Sequence, residues 1–250
     1  MKSRELREKI LSKPMPKNIA IILDGNGRWA KKRGLPRIVG HAKGIKTLVE
    51  ISEETQDLGL DSLLVYAFST ENWSRPTDEV KFLMNALIEN LVKYKKRIIK
   101  RQTKVVILGE RNNLSEDVLN AINEIERDTA MFDSFTLGIC FNYGGHQEII
   151  NATKEIAEEV LSGNLKIEDI NKEIFEKHLY TKDFGPLDLL IRTSGEERLS
   201  NFLPWQSAYS EFVFTKTYWP DFHAKELYMA IDEYQSRSRR FGGLEKKGHE

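Results

Sequence analysis

Residues 19–30, IAIILDGNGRWA, place an apolar run of strand length directly before a carboxylate and two glycines. The run 19–23 ends at Asp24, and a helical pattern begins after Gly25 and Gly27. In an open α/β sheet, ligands bind at the carboxyl ends of the strands. Glycines let backbone N–H groups come close to a ligand, and the positive end of the next helix favours anions. The stretch therefore predicts a parallel α/β sheet with an anion site at the end of its first strand.

Asp24 is unexpected in an anion site, because a carboxylate repels a phosphate unless a divalent cation lies between them. The neighbouring Arg28 carries a planar, permanently charged group that suits phosphate. Mg²⁺ is usually held by one or two carboxylates together with substrate phosphates. We therefore predict a diphosphate site in which Asp24 and Mg²⁺ act together.

Two known phosphate-binding patterns are approximated here, but their context does not fit. Residues 25–30 match the GxGxxA form of the dinucleotide fingerprint, yet their helix is cut by Gly34 and Pro36. The acidic residue expected about 20 positions further on would be Glu50, which lies in a helical pattern. Residues 40–47 resemble a P-loop with the wrong spacing and no preceding strand. A nicotinamide-dependent oxidoreductase is therefore a disfavoured alternative.

The composition indicates a single globular domain without a dominant charge. The 250 residues suffice for one large α/β domain. The 38 Lys and Arg residues balance 38 Asp and Glu residues, so no global field recruits nucleic acid or an anionic membrane. The single cysteine, Cys140, lies in the apolar run 135–141, and we expect it to be buried. No apolar stretch approaches the roughly 18 residues that span a bilayer. We expect a soluble, cytoplasmic protein without nucleic-acid partners.

Apolar runs of strand length alternate with amphipathic helical patterns, which is typical of a mostly parallel sheet. We predict strands at 18–23, 62–68, 104–108, 135–142, 188–192 and 211–215. We predict helices at 41–58, from residue 76 to about 100, at 115–127, 146–161 and 171–178, and from after residue 221 to about 240. The expected fold class is α/β, with about six strands and helices on both faces. It forms one domain over 18–241, preceded by a helix and connector at 1–17 and followed by a disordered tail at 242–250.

Polar loops follow four of the predicted strands, at 24–28, 69–76, 142–145 and 192–202. They are rich in Arg, Ser, Thr, Asn and Gly and contain few carboxylates. Because the carboxyl ends of parallel strands lie at one edge of the sheet, we expect the four loops to converge. Each loop alone is weak support for a site, but together they indicate a shared anion-binding surface.

Five motifs resemble those of the cis-prenyltransferases and occur in the same order. They are DGNGRWA at 24–30, GH at 40–41, FSTENWxR at 68–75, NYGG at 142–145 and RTSGExRLSNF at 192–202, followed by Trp205 and Glu211. The resemblance runs from about residue 15 to 242. It implies an elongated, parallel-sheet homodimer with a hydrophobic tunnel. It also implies repeated addition of isopentenyl diphosphate to an allylic diphosphate with formation of cis double bonds.

The resemblance assigns roles to individual residues. Those implied in substrate binding are Gly25, Asn26, Gly27, Arg28, Trp29, Arg37, His41, Ser69, Thr70, Glu71, Trp73, Arg75, Arg192, Arg198, Leu199 and Ser200. Mg²⁺ would be shared between Asp24 and Glu211, and proton removal is placed near Asn72. Because an amide is a poor base, we expect Asn72 to orient a reacting group while diphosphate or water takes the proton.

The two diphosphates are expected to occupy separate subsites. The glycine turn with Arg37 and His41 would hold the allylic diphosphate, and Arg192, Arg198 and Ser200 would hold isopentenyl diphosphate. A catalytically silent partner subunit or lipid-binding protein is the main alternative. Such relatives would be expected to lose the aspartate or the arginines, and this chain retains them. Each residue also admits a structural role, as a helix cap, a core tryptophan or a member of a surface ion pair.

A long polyprenyl product is too apolar to be left in water, at roughly 0.8 kcal/mol per exposed CH₂. Its tail must therefore be enclosed, and its release implies transient contact with a membrane surface. The candidate lining is a stripe on the long helix and one face of the fourth strand, namely Val80, Leu83, Leu87, Leu91, Phe135, Leu137 and Ile139. Phe135 starts that strand, farthest from the diphosphate site, and is predicted to form the tunnel floor.

Overall fold

The central sheet has six parallel strands in the computed structural model, which describes residues 2–237. The strands are β1 (Asn18–Ile22), β2 (Ser62–Ser69), β3 (Thr103–Leu108), β4 (Phe135–Tyr143), β5 (Leu189–Arg192) and β6 (Glu211–Phe214). Their spatial order is β3-β4-β2-β1-β5-β6, and every neighbouring pair is parallel. The expected sheet is confirmed, and each strand differs from its expected bounds by one residue.

Helices precede and connect the strands. They are α1 (Ser3–Leu11), α2 (Asn26–Lys32), α3 (Arg37–Asp57), α4 (Thr77–Lys100), α5 (Glu116–Thr129), α6 (Gly145–Leu161), α7 (Lys172–Lys177) and α8 (Ala224–Ser236). Helix α3 begins four residues earlier than expected, because the fixed φ of Pro36, −57°, already suits a helix start. The expected tail at 242–250 and the expected helix end at residue 240 lie outside the described residues.

Alternate residues of β1 point to opposite faces of the sheet, and both faces are covered. Ile19 and Ile21 join a core formed with α1, α3, α4, α5 and α8. Ala20 and Ile22 join a second core on the other face, formed with Cys140 and the segments 180–187 and 199–203. All five residues of β1 are buried, as expected of a central parallel strand. The predicted covering of both faces and the predicted burial of Cys140 are confirmed.

Strand β1 lies at the point where the order in which strands are added to the sheet reverses direction. The chain moves from β1 to β2 on one side, and later returns to place β5 on the other side of β1. Ligands of open α/β sheets bind outside the carboxyl ends of strands at such a switch point. The turn that follows β1 is therefore the expected place for a site.

Helices α2 and α3 pack closely through two glycines of α3. A Cβ on Gly40 would lie 2.0 Å from the carbonyl O of Asn26, and one on Gly44 would lie 2.2 Å from Oδ1 of Asn26. The indole Nε1 of Trp219 donates a hydrogen bond of 2.9 Å to the carbonyl O of Gly44. The glycines of the P-loop-like stretch 40–47 thus serve helix packing. Within residues 2–237, no helix combines the length and apolar character needed to cross a bilayer.

Candidate active site

Asp24 and Arg192 meet at the carboxyl ends of adjacent strands. Oδ2 of Asp24 lies 3.0 Å from Nη2 of Arg192 and 3.0 Å from Nη2 of Arg28. Burial raises the pKa of the Asp24 carboxyl, but hydrogen bonds and charge from Arg192 and Arg28 outweigh it and leave the pKa below its usual value. Asp24 is therefore an anion at neutral pH, held between two guanidinium groups.

The loop after β5 is shaped around the guanidinium of Arg192, a residue only 3% exposed. Nη1 of Arg192 donates to the Ser200 hydroxyl at 2.8 Å and to the carbonyl O of Arg198. Ser200 and Asn201 both adopt left-handed backbone conformations, with φ of 49° and 63°. Thr193 Oγ1 donates to the carbonyl O of Asp24 at 2.7 Å, which ties the loop to the end of β1. Nε of Arg192 is buried and has no hydrogen-bond partner among residues 2–237.

Glu196 links two of the predicted substrate-binding arginines. Its Oε1 lies 2.8 Å from Nη1 of Arg28, and its Oε2 lies 2.5 Å from Nη1 of Arg198. Hydrogen bonds from Arg198 and Arg28 lower the pKa of Glu196. Nη2 of Arg28 also donates a hydrogen bond of 2.6 Å to the Ser194 hydroxyl. These groups are partly exposed, so they form a loosely held ion network at the rim of the site.

Glu79, in the first turn of α4, is the centre of a second cluster and is 6% exposed. Its carboxylate accepts hydrogen bonds from Nε of Arg37 at 3.0 Å and from Nη1 of Arg75 at 2.9 Å. It also lies 3.0 Å from Nε2 of His41. Burial raises the pKa of Glu79, but hydrogen bonds from Arg37 and His41 and the charges of Arg37 and Arg75 lower it to about 2. Burial also lowers the pKa of His41.

A 3₁₀ turn, Thr70–Ser74, connects β2 to α4 and carries Asn72. Oδ1 of Asn72 accepts a hydrogen bond of 3.2 Å from the backbone N–H of Ser69. Glu71 of the turn accepts a hydrogen bond of 2.9 Å from Nδ2 of Asn201. Oδ1 of Asn201 in turn accepts from the N–H of His146 at 2.8 Å, at the start of α6. Asn201 therefore fastens the loops after β2, β4 and β5 to one another.

These groups surround the mouth of a cavity of about 750 Å³ that runs between the sheet, α3 and α4. Its walls are aliphatic and aromatic side chains, among them Leu48, Val49, Leu83, Leu87, Leu91, Leu137, Ile139 and Phe141. Its other end is lined by Glu53, Arg97, Arg101 and Thr103. Nη2 of Arg97 donates a hydrogen bond of 2.5 Å to Oε2 of Glu53, so an ion pair joins α3 and α4 at that end. The cavity thus connects a charged mouth to an apolar tube.

Two residues of the predicted lining lie elsewhere. Phe135 is fully buried in the core and does not line the cavity, which corrects the expected lining, while its role as the tunnel floor stays a prediction. Its register partner Thr103 and the next inward residue of β4, Leu137, line the far end instead. Val80 faces a small neighbouring hollow beside Trp73 and does not reach the cavity.

The structure brings most of the predicted site residues together. Those that line the cavity are Asp24, Gly25, Asn26, Gly27, Arg28, Arg37, His41, Ser69, Glu71, Asn72, Arg75, Arg192 and Ser200. Those that do not are Trp29, Thr70, Trp73, Arg198, Leu199 and Glu211. Trp29 donates from Nε1 to Asp221 at 2.7 Å, and Trp73 donates from Nε1 to Asn142 at 2.8 Å. Both indoles therefore hold neighbouring segments in place.

Glu211 does not lie near Asp24. It opens β6 as the register partner of Leu189, which in turn pairs with Ile19 of β1. Asp24 is five residues beyond Ile19, or roughly 16 Å along the strand direction at about 3.3 Å per residue. Glu211 instead forms an ion pair of 3.0 Å with Arg237. Side chains of one chain therefore cannot share the expected Mg²⁺ ion, because parallel register puts Asp24 and Glu211 at opposite ends of the sheet, and Glu211 as a metal ligand stays a prediction.

Sequence reasoning missed Glu79 and Asn201 as parts of the site. Glu79 lies in the first turn of the helix predicted from residue 76, a position that by itself indicates only a favourable interaction with the helix dipole. Its spacing from Arg75, four residues earlier, is the one local signal of the ion pair. Asn201 lies within the quoted motif, but its bonds reach the loops after two other strands, which spacing along the chain does not encode.

Comparisons with known proteins agree with this arrangement. The prenyltransferase family model for undecaprenyl diphosphate synthase matches residues 22–242. Isoprenyl transferase from Listeria innocua is 50% identical over 231 residues, which is 92% of this chain and 92% of that protein. Isoprenyl transferase from Bacillus subtilis is 48% identical over 241 residues, covering 96% of this chain and 93% of that protein.

Two solved structures share the fold. Lavandulyl diphosphate synthase from Lavandula x intermedia, in complex with dimethylallyl diphosphate, superposes with a TM-score of 0.89 at 35% identity and covers 92% of this chain and 99% of its own. A probable undecaprenyl diphosphate synthase from Campylobacter jejuni superposes with a TM-score of 0.75 at 30% identity, over 92% of this chain and all of its own. The chain belongs to the undecaprenyl diphosphate synthase family of isoprenyl transferases.

Proposed function

We propose that this protein is a cis-prenyltransferase that adds isopentenyl diphosphate repeatedly to an allylic diphosphate, with farnesyl diphosphate as the starter. The product is a long polyprenyl diphosphate, such as the undecaprenyl diphosphate that carries cell-wall precursors. One observation supports this most directly: a single cavity joins a cluster of arginines to an apolar tube. The cluster suits a diphosphate head, and the tube suits a growing hydrocarbon tail.

The allylic diphosphate would bind at the turn after β1. Gly25 has a φ of 103°, and a Cβ there would meet Tyr218 at 2.7 Å, so only glycine lets the backbone take this shape. The turn starts α2, and its residues 25–27 line the cavity together with Arg28 and Arg37. This seven-residue helix alone is a weak anion site, and the guanidinium groups supply most of the charge that holds the diphosphate.

Isopentenyl diphosphate would bind beside Arg192. Nε of Arg192, which has no hydrogen-bond partner in the described part of the chain, is a buried donor adjacent to the cavity, and the Ser200 hydroxyl lies 2.8 Å from Nη1 of Arg192. Arg198 is held at the rim by Glu196 and would join the diphosphate when that ion pair opens. Both substrates would then be positioned with their reacting carbons at the entrance of the tube. The protein contributes positioning and charge stabilisation, with no covalent intermediate.

Mg²⁺ fits the site as a partner of Asp24 and substrate. Both arginine contacts of Asp24 use Oδ2, and the residue lines the cavity. No group of three or more His, Cys, Asp or Glu side chains within residues 2–237 is arranged to hold a metal. Diphosphate oxygens and water would therefore complete the shell, as Mg²⁺ commonly requires. The ion would neutralise charge on the departing diphosphate. Asn72, at the cavity wall, would orient a reacting group while diphosphate or water accepts the proton.

We further propose a homodimer that works in the cytoplasm and contacts the inner face of the membrane transiently. Strand β6 lies at one edge of the sheet. It presents the stacked rings of Phe212 and Phe214, with centroids 6.2 Å apart, and Phe214 is exposed. An exposed apolar edge strand is usually covered by another element or chain. A second copy is the occupant that the family resemblance implies.

Incubation with labelled isopentenyl diphosphate, farnesyl diphosphate and Mg²⁺ tests the activity, with products sized by mass spectrometry. We expect a long cis-polyprenyl diphosphate whose formation stops when the metal is chelated. Binding of both substrates without incorporation of label, in the presence of any allylic starter, would instead support the silent-subunit alternative.

A further inference from the structure

Residues 31–39, KKRGLPRIV, form a continuous exposed segment at the turn between α2 and α3, here called the 31–39 segment. All nine residues are exposed. The aliphatic side chains of Leu35, Ile38 and Val39 are 40%, 39% and 40% exposed. The segment contains four basic residues and no acidic residue. Arg33 and Arg37 form ion pairs with Asp221 and Glu79, so Lys31 and Lys32 supply the positive charge that no ion pair among residues 2–237 offsets. Apolar and basic side chains thus share one exposed stretch of the surface.

The 31–39 segment is fixed in place by hydrogen bonds and side-chain contacts. The backbone N–H of Leu35 donates to the carbonyl O of Ala30 at 3.0 Å, and Gly34 closes α2 in a left-handed conformation with φ of 66°. The guanidinium of Arg33 lies 4.1 Å from the ring centroid of Trp29 and 3.0 Å from Asp221. The exposed aliphatic residues are therefore presented at a fixed position.

The 31–39 segment borders the mouth of the cavity. Arg37, within the segment, and His41, one turn further along α3, both line it. A product whose tail fills the tube must pass from this region into a bilayer, because its apolar surface is costly in water. This part of the reasoning rests on the proposed function.

We infer that the 31–39 segment is the surface by which the enzyme docks on an anionic lipid bilayer. Exposed aliphatic side chains insert at the level of the headgroups, and lysines and arginines are attracted to anionic lipids. Stable attachment needs both signals, and this segment carries both. A second exposed run, 166–173 (KIEDINKE), lacks the second signal. It exposes Ile167 by 72% and Ile170 by 40%, yet its three acidic residues outnumber its two lysines.

The full chain, without substrates, is mixed with vesicles of phosphatidylcholine alone or of phosphatidylcholine with phosphatidylglycerol, and bound protein is measured by cosedimentation. We expect binding chiefly to the anionic vesicles, weakened by salt. The variants Lys31→Glu/Lys32→Glu and Leu35→Ser/Ile38→Ser should each bind at least about tenfold more weakly. The matched control Ile167→Ser/Ile170→Ser should bind like the wild type. Circular dichroism and thermal melting check that each variant is folded.

Equal binding of wild type to neutral and anionic vesicles would overturn the inference, as would unchanged binding of both 31–39 variants. So would a change of oligomeric state in Leu35→Ser/Ile38→Ser, measured by analytical ultracentrifugation, because the segment would then contact protein. The vesicle assay needs no turnover. A wild type that binds anionic vesicles but makes no polyprenyl product refutes the proposed function alone. A wild type that makes product but ignores anionic vesicles refutes the docking surface alone.

Discussion

Nη2 of Arg192 lies 3.0 Å from Oδ2 of Asp24, although 168 positions separate the two residues along the chain. They meet because β1 and β5 are neighbouring parallel strands in which Ile22 pairs with Arg192. The contact joins the residue proposed to hold the metal to the residue proposed to hold isopentenyl diphosphate. The charge at one subsite is therefore set partly by what occupies the other.

Replacing Asp24 with Ala should remove most turnover while the fold is retained. Loss of metal-assisted charge neutralisation is expected to raise the activation barrier of condensation by several kcal/mol, which is on the order of the transition-state stabilisation that a catalytic metal ion supplies. Steady-state kinetics across a Mg²⁺ titration measure the effect. Near wild-type turnover at saturating Mg²⁺ would rule out this role. Because the pKa of Asp24 is lowered, the wild-type rate should show no titration of this group between pH 6 and 9.

Arg192 and Arg198 should matter chiefly for isopentenyl diphosphate. Replacing either with Ala is expected to raise the KM for that substrate by about tenfold or more, because the diphosphate loses a charge-assisted hydrogen bond. Arg192→Ala should also lower kcat, because it contacts Asp24 as well. Initial rates with each substrate varied in turn separate the two KM values. A rise confined to the allylic KM would show that the two subsites are reversed.

Glu79 should organise the allylic subsite through its three basic partners. In Glu79→Gln the guanidinium groups of Arg37 and Arg75 lose their shared counter-charge, so the allylic KM should rise several-fold more than the KM for isopentenyl diphosphate. Asp78→Asn is a matched control, since it removes an exposed carboxylate from the same helical turn. Equal effects of the two substitutions would indicate a general loss of helix stability instead.

The pH dependence of this cluster follows from the direction of the shift. The pKa of Glu79 is about 2 in the folded protein against an ordinary value of 4.5. Its stabilising contribution is therefore complete above pH 4.5 and is lost as the pH falls toward 2. Binding of an allylic diphosphate analogue, measured by calorimetry, should be insensitive to this group between pH 6 and 9.

Much of the fold was predictable because short stretches of the sequence determine its strands and helices. Each buried parallel strand is a short apolar run, and Pro36, Gly59 and Pro76 mark helix ends, so the alternation in sequence gives the six strands within one residue. The strand-end loops were predictable for the same reason, since parallel order fixes which ends share an edge.

The errors concern information that no single stretch carries. The position of Glu211 depends on the register between β5 and β6, which is set by packing across the sheet. The side chains of Trp29 and Trp73 turn toward Asp221 and Asn142, partners that are distant in sequence. The Glu79 cluster joins α4 to α3 over 38 to 42 positions. Only the three-dimensional arrangement brings these groups together.

The far end of the cavity should control product length, and Leu137 is the residue of β4 that lines it nearest that end. Leu137→Ala enlarges the tube at its limit and should shift products toward longer chains. Leu137→Trp fills the same space and should shorten the products.

Val80→Ala is the control, because Val80 is a buried residue of α4 that does not line the cavity. It should lower stability by roughly 1–3 kcal/mol, as core truncations do, without changing the products. Mass spectrometry of chain lengths, with thermal melting of each variant, distinguishes the outcomes. Identical product distributions in both Leu137 variants would show that the tail does not reach this end of the tube.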